Sequence, residues 1–195
     1  SLDEMMISYS THDAYGYMNK LLKWEQIDQL CQATGYHWVN HFLKDGHRAD
    51  EDVLAGFNLI CIDVDHGVSL HTAREVLKDY TCYFYTTKRH QTVENGIHHG
   101  DRFRIILPIK YNLKLSKPDF KEFMNNVLRW LPFGSDDCSN QRSKKWLCHQ
   151  GSSFYNTGSL FDPLPFIPRT QKAEDMKKQA RDLQQVWIEI YLIYL

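Results

Sequence analysis

Apolar residues recur at three- and four-residue intervals early in the chain, at Met18, Leu21, Leu22, Trp24, Ile27, Leu30 and Cys31, before Gly35. A helix collects residues at that spacing on one face, so the first 56 residues are predicted to form a helical N-terminal module. The pattern changes after Gly56. Residues 59–65, LICIDVD, form a short apolar run closed by His66-Gly67 and read as a buried strand. Ser69 is placed to cap a helix through Lys78, with Leu70, Ala73, Val76 and Leu77 on one face. A second strand is expected over residues 80–86, and a polar loop over 87–101. Residues 102–109 alternate, with Phe103, Ile105 and Leu107 on one face and Pro108 marking the end of the strand. Ser116 and Asp119 open a further helix whose stripe is Phe120, Phe123, Met124, Val127, Leu128 and Leu131, stopped by Pro132 and Gly134. A last strand is expected near residues 144–148, and irregular, wrapping chain from 151 to 168.

From residue 57 onward this is strand, helix, strand, strand, helix, strand, the order of a split βαβ unit. The fold class predicted is therefore α+β, an RRM-like, ferredoxin-like antiparallel sheet backed by two helices over about residues 57–168. Residues 169–195 form a separate amphipathic helix, with Met176, Ala180, Leu183, Trp187, Ile190 and Tyr194 in three- and four-residue steps. It either packs on this domain or begins a helical extension.

Hydrophobic residues make up 43% of the 195, enough for a sizeable core, and 23 basic against 24 acidic side chains leave a formal charge of −1. A globally basic chain is thereby excluded, and any nucleic-acid contact has to rest on a local cluster. The five cysteines are odd in number and contain no C-x-x-C pair, so buried reduced thiols in a cytoplasmic protein are expected and a structural zinc is not. With no apolar stretch of 18 residues, no membrane span is expected.

The chemistry concentrates in three places. Asp63 and Asp65 lie two apart on a strand, which points both to one face about 6 to 7 Å apart along it. Such a pair of hard oxygen donors suits Mg²⁺ or Mn²⁺, or else is solvated at a strand end. Directly after the second strand, Thr86-Thr87-Lys88-Arg89-His90 groups two hydroxyls, two cations and an imidazole, a set suited to phosphate oxygens or to a solvated loop. Asp136-Asp137, followed by Arg142, Lys144 and Lys145, offers a third carboxylate and more positive charge. Three carboxylates holding two metal ions beside cations for a triphosphate are the parts of an in-line nucleotidyl transfer. Arg102 and Arg104 share a strand face and either bind template or triphosphate or pair with Asp63, Asp65 or Asp101. Tyr83, Tyr85 and Trp146 read as core, and His37, His41, His98 and His99 as surface or core decoration.

The series LICIDVD, TTKRH, GDRFRIILPI and DDCSNQRSKKW resembles the catalytic core of the archaeo-eukaryotic primase superfamily, in the primase-polymerase branch common in phages and plasmids. The similarity covers roughly residues 36–168, which makes residues 1–168 a primase-polymerase catalytic domain. The resemblance implies that Asp63 and Asp65 hold metal, that His90 contacts the nucleotide's phosphates, and that Asp137 or its neighbour Asp136 completes the metal site. Lys88 stands where the family has a small hydroxyl residue, leaving Thr87 as the nearest substitute; Arg89 adds charge beside them. The downstream basic position is Arg142 or Lys145, and Arg48 matches a basic position before the first motif. Arg102, Lys144 and Arg48 would then meet nucleic acid, and Arg104 the nucleotide. The implied partners are a single-stranded DNA template, NTPs or dNTPs, and a helicase or helical domain in cis or trans. Two other classes use such a sheet: an RRM-like single-strand-binding module without catalysis, and a replication-initiator or relaxase nuclease with a tyrosine nucleophile.

Overall fold

The protein is seen in a computed structural model that describes residues 2–133, 137–168, 178 and 180–186, the side chains of residues 137 and 138 left out. In chain order the elements are β1 (Met5–Ser10), β2 (Met18–Leu22), α1 (Ile27–Cys31), β3 (His37–Val39), β4 (Phe57–Val64), α2 (Leu70–Val76), β5 (Cys82–Thr86), β6 (Val93–Glu94), β7 (Ile97–His98), β8 (Phe103–Leu113), α3 (Lys117–Trp130), β9 (Trp146–Leu147) and β10 (Ser153–Asn156). Two antiparallel four-stranded sheets result, ordered β10-β5-β8-β4 and β2-β1-β3-β9.

β4 is buried along its whole length because both of its faces are covered. Ile60, Ile62 and Val64 face one way, with Ile105 and Leu107 of β8, into a core closed by Ala73 of α2 and Phe120, Phe123 and Val127 of α3. Leu59 and Cys61 face the other way, with Tyr83, Tyr85 and Ile106, against Ile7, Trp38 and Trp146 of the second sheet. A strand buried on both faces reads as a continuous apolar run instead of an alternation. The helix starts follow their caps: Ser69 Oγ accepts from the Thr72 N–H, and Ser116 Oγ from the Asp119 N–H. Cys31, Cys61, Cys82 and Cys148 are free and buried.

Four expectations are corrected. The N-terminal module is mixed, with three strands: Met18 and Leu21 belong to the edge strand β2 and are exposed, and helical turns are limited to residues 24–31, 44–46 and 50–52. The three- and four-residue spacing there is an accident of three strand residues, Met18, Leu21 and Leu22, preceding a short helix, while Met5, Ile7 and Tyr9 show the period-two signal of β1. β8 runs through Pro108 to Leu113. The Lys110 N–H reaches Phe161 O, so Pro108 turns its nitrogen to that same side, beyond the last β5 partner, and removes no ladder bond. The loop at 87–101 contains the hairpin β6–β7, turned by Asn95 and Gly96, both at positive φ.

The fourth correction concerns topology. β4, α2, β5 and the intervening β8 form a split βαβ unit, but the segment at 144–148 pairs with β3 in the second sheet, and the fourth central strand is β10, in the stretch expected to be irregular. An RRM-like sheet sets its last strand beside its first; here it lies beside β5. The outer edge of β4 is already engaged by the N-terminal module, through Met6 N–H to Asn58 Oδ1 at 2.9 Å, Asn58 Nδ2 to Glu4 O at 2.7 Å and Asn40 Nδ2 to Leu59 O at 2.8 Å. At the C-terminus, residues 178 and 180–186 are helical and docked on this domain: Ala180 is buried in its core and Tyr111 OH donates to Gln184 Oε1 at 2.9 Å. The rest of the predicted C-terminal helix lies outside the described residues.

His41, expected on a helix, is buried after β3 between the rings of Phe57 and Phe120, with centroids 5.2 and 5.0 Å away. Burial first, and then the charge of Arg142, push its pKa down to about 3. The unfolded chain therefore binds the proton that the folded chain refuses, so this residue's contribution is complete above the ordinary value near 6.5 and is lost as the pH falls below it. Between pH 7.5 and 5 His41 should withdraw about 2 kcal/mol of stability, read as a lower urea midpoint. His41→Leu should flatten that pH dependence; an unchanged slope would place its origin elsewhere.

Candidate active site

β4 carries Asp63 to the end of the central sheet, and Asp65 follows where the strand stops. Asp63 lies directly opposite Arg104 in the register, which sets the two side chains on one face. Asp63 Oδ1 stands 3.3 Å from Arg104 Nε, and Asp65 Oδ1 stands 3.9 Å from Arg102 Nη1. Asp63 and Arg104 are each only 9% exposed, whereas Asp65 and Arg102 are half-buried at the rim. Of the two roles open to Arg104, the structure shows the ion pair.

Arg104 is held on every side. Its Nη1 donates to Tyr85 OH at 3.0 Å and to Leu147 O at 2.6 Å, and the guanidinium carbon stands 5.6 Å from the rings of both Tyr85 and Trp146. Burial works against its charge, but the Tyr85 hydroxyl and the Asp63 carboxylate more than offset this, and its pKa is raised. The same burial raises the pKa of the Tyr85 hydroxyl well above its usual value, with Arg104 opposing the shift. Tyr83, Tyr85 and Trp146 are therefore core residues, as their positions on strands suggested.

The segment after β5 turns back onto β8. Thr87 N–H donates to Arg102 O and His90 N–H to Thr87 O, both at 3.0 Å, while His90 Nδ1 accepts from the Arg102 N–H at 3.0 Å. With Nδ1 engaged as an acceptor, neutral His90 carries its proton on Nε2, which leaves Nε2 as a donor. His90 is thus seated on the residue that pairs with Asp65. Lys88 and Arg89 are exposed beside it, Arg89 Nε standing 3.9 Å from Glu94 Oε2 of the hairpin.

The third element arrives through the 3-10 turn Asp137–Asn140. Ser139 Oγ accepts from the Asp63 N–H at 3.2 Å, and Asn140 Nδ2 donates to Asn125 Oδ1 of α3 at 3.0 Å. The main chain of Asp137 therefore lies two residues from a direct bond to Asp63; Asp136 lies outside the described residues. Asp63 and Asp65 are of the right donor type for a hard divalent cation. Among the described residues no three His, Cys, Asp or Glu side chains are arranged to hold a metal ion.

The remaining cations divide. A strap at residues 143–147 runs along the rim: Leu147 O holds Arg104, Lys144 Nζ stands 5.6 Å from the Trp146 ring, and Lys145 pairs with Asp13. Arg48 joins the same strap, with Nη1 donating to Ser143 O at 3.1 Å, Nε to Asp13 O at 2.8 Å, and Nη2 3.6 Å from Asp13 Oδ2. Arg142 is turned away, donating to Leu115 O at 3.1 Å. Sequence reasoning missed Asp13, which joins Arg48 to Lys145 from a loop with no motif, and Ser139, whose hydroxyl ties the 3-10 turn to β4.

No helix among the described residues is long and apolar enough to cross a membrane. No family model and no curated protein matches the chain. Among solved structures the chain is similar to the AEP domain of the primase-polymerase (PrimPol) of cyanophage S-2L, with 16% identity and a TM-score of 0.46 over 86% of this chain and 91% of that one.

Proposed function

We propose that this chain is a DNA-templated nucleotidyltransferase of the primase-polymerase kind, which makes or extends primers on single-stranded DNA from NTPs or dNTPs. The observation that carries this reading is the convergence at one rim of the Asp63 and Asp65 carboxylates, the turn bearing Asp137, and His90 seated on Arg102. Asp63 and Asp65, with a carboxylate from Asp136 or Asp137, would hold Mg²⁺ or Mn²⁺. Bound there, divalent ions lower the pKa of an attacking 3′-hydroxyl and neutralise the departing pyrophosphate.

The chain's own residues do the rest. His90 Nε2–H donates to a phosphate oxygen, and the exposed Lys88 and Arg89 with Arg102 add positive charge for the triphosphate. Arg104 fixes the orientation of Asp63, and the Thr87 main chain fixes the turn that carries His90. Arg48, Lys144 and Lys145 lie along the strap at one side and meet the nucleic-acid backbone.

The test is extension of a labelled primer on a single-stranded template, and synthesis without a primer, with Mg²⁺ or Mn²⁺. Product formed with the metal and abolished by chelator is the expected result. Strand binding that ignores chelator, with no incorporation under any metal, would replace this reading with that of a binding module.

A further inference from the structure

The N-terminal module holds a set of aromatic rings that the catalytic reading does not use. Tyr9 of β1 and Tyr36, just before β3, have ring centroids 6.0 Å apart. In the loop after β1, the His12 and Tyr15 centroids are 5.6 Å apart, and Tyr15 stacks on His47 at 4.9 Å and 15°. Tyr9, His12, Tyr15 and Tyr36 line one open groove, in which Tyr15 is 60% exposed and Tyr36 38%. His47 Nδ1 lies 2.7 Å from Asp52 Oδ2, so the ring under Tyr15 is fixed in place.

Two cations adjoin the loop that carries His12 and Tyr15, both paired with Asp13 of that loop. Arg48 follows His47 directly and shares Asp13 with Lys145. These two cations sit on the strap whose Leu147 O holds Arg104 beside Asp63. Asp13 is well exposed, and a surface carboxylate between two cations is weakly held and exchangeable for another anion. Flat rings with polar edges in an open groove, next to a pair of cations, match a polyanion carrying flat bases better than they match an aliphatic peptide.

The geometry points to a base-stacking track for single-stranded DNA along this groove, with bases on Tyr36, Tyr9 and Tyr15 and backbone phosphates on Arg48 and Lys145. Its cations adjoin the strap whose Leu147 O holds Arg104 beside Asp63, so a strand bound there would lie next to the candidate active site. The choice of ligand rests on the proposed nucleotidyltransferase activity.

Fluorescence anisotropy with a labelled single strand, and with an abasic strand of equal length, tests the track. Tyr15→Ala and Tyr36→Ala should each weaken binding of the base-bearing strand by about tenfold. Tyr15→Trp and Tyr36→Trp should retain it, and the abasic strand should be bound alike by every form. Both tyrosines are at the surface, and a melting curve for each variant separates lost binding from lost folding. Unchanged affinity in the alanine variants, an equal loss for the abasic strand, or no binding by the wild type would overturn the track. Primer extension by the wild type, run beside it, reports on catalysis independently. Extension with ring-independent binding removes the track alone, whereas ring-dependent binding without extension keeps the track and removes the polymerase.

Discussion

Asp65→Asn and Asp63→Asn are each expected to reduce metal-dependent incorporation by about three orders of magnitude, because a carboxylate that holds a divalent ion supplies several kcal/mol of transition-state stabilisation. The two variants differ in what else they disturb. Asp65 is half-buried and stands 3.9 Å from Arg102, so its loss should cost the fold less than about 1 kcal/mol. Asp63 faces Arg104 in the interior, and asparagine there keeps an acceptor oxygen but removes a charge, at a folding cost of about 1–3 kcal/mol. Asp65→Asn is therefore the cleaner experiment: a folded variant with near-normal incorporation would remove the carboxylate pair from the chemistry. Primer-extension rates at matched fraction folded, with unfolding curves for both variants, make the comparison.

Those two aspartates were legible because the signal is local. A strand covered on both faces must be apolar, so charge at its end has to be paired or to bind something, and the two-residue period places Asp63 and Asp65 on one face. The caps at Ser69 and Ser116 were legible for the same reason: each hydroxyl satisfies a donor three residues on. What was not legible depended on distant partners. Residues 146–147 and 153–156 have similar strand character, and nothing local says that the first pairs with β3 and the second with β5, while the β4 edge is taken by the N-terminal module. Met18–Leu22 misled because an edge strand with exposed apolar residues carries no period-two signature. The hairpin at 93–98 did have its signature, Asn95-Gly96 between short β-branched segments, and was readable.

The site divides along the same line. Placing His90 near the aspartates follows from the topology of the split βαβ unit, which brings the ends of β4 and β5 to one rim on either side of the start of β8. Joining Arg48 to Lys145 does not, since Asp13 connects them from a loop more than thirty residues before the one and more than a hundred before the other. Arg142 and Lys145 are three residues apart, yet one faces Leu115 and the other Asp13, a divergence set by the short turn at 141–144.

Arg104→Met should destabilise the fold by about 3–5 kcal/mol, the range seen when one partner of a buried ion pair is removed. The substitution deprives Asp63 of the guanidinium and takes donors from Tyr85 OH and Leu147 O, in a space closed by the Trp146 ring. Adding Asp63→Asn to Arg104→Met should recover a substantial part of that loss, because the remaining buried charge is then gone; the double-mutant cycle measures the coupling. The same variant also reports on the metal. A divalent ion that binds the folded rim and not the unfolded chain raises stability with its concentration, and where Arg104 no longer neutralises Asp63 the carboxylates should attract it more strongly. Mn²⁺ or Mg²⁺ should therefore raise the melting temperature of Arg104→Met more than that of the wild type, and should fail to do so once Asp63 is asparagine. Equal shifts in all three proteins would mean that the ions act somewhere other than these carboxylates, and would separate the role of Arg104 in the fold from any role of Asp63 in holding metal.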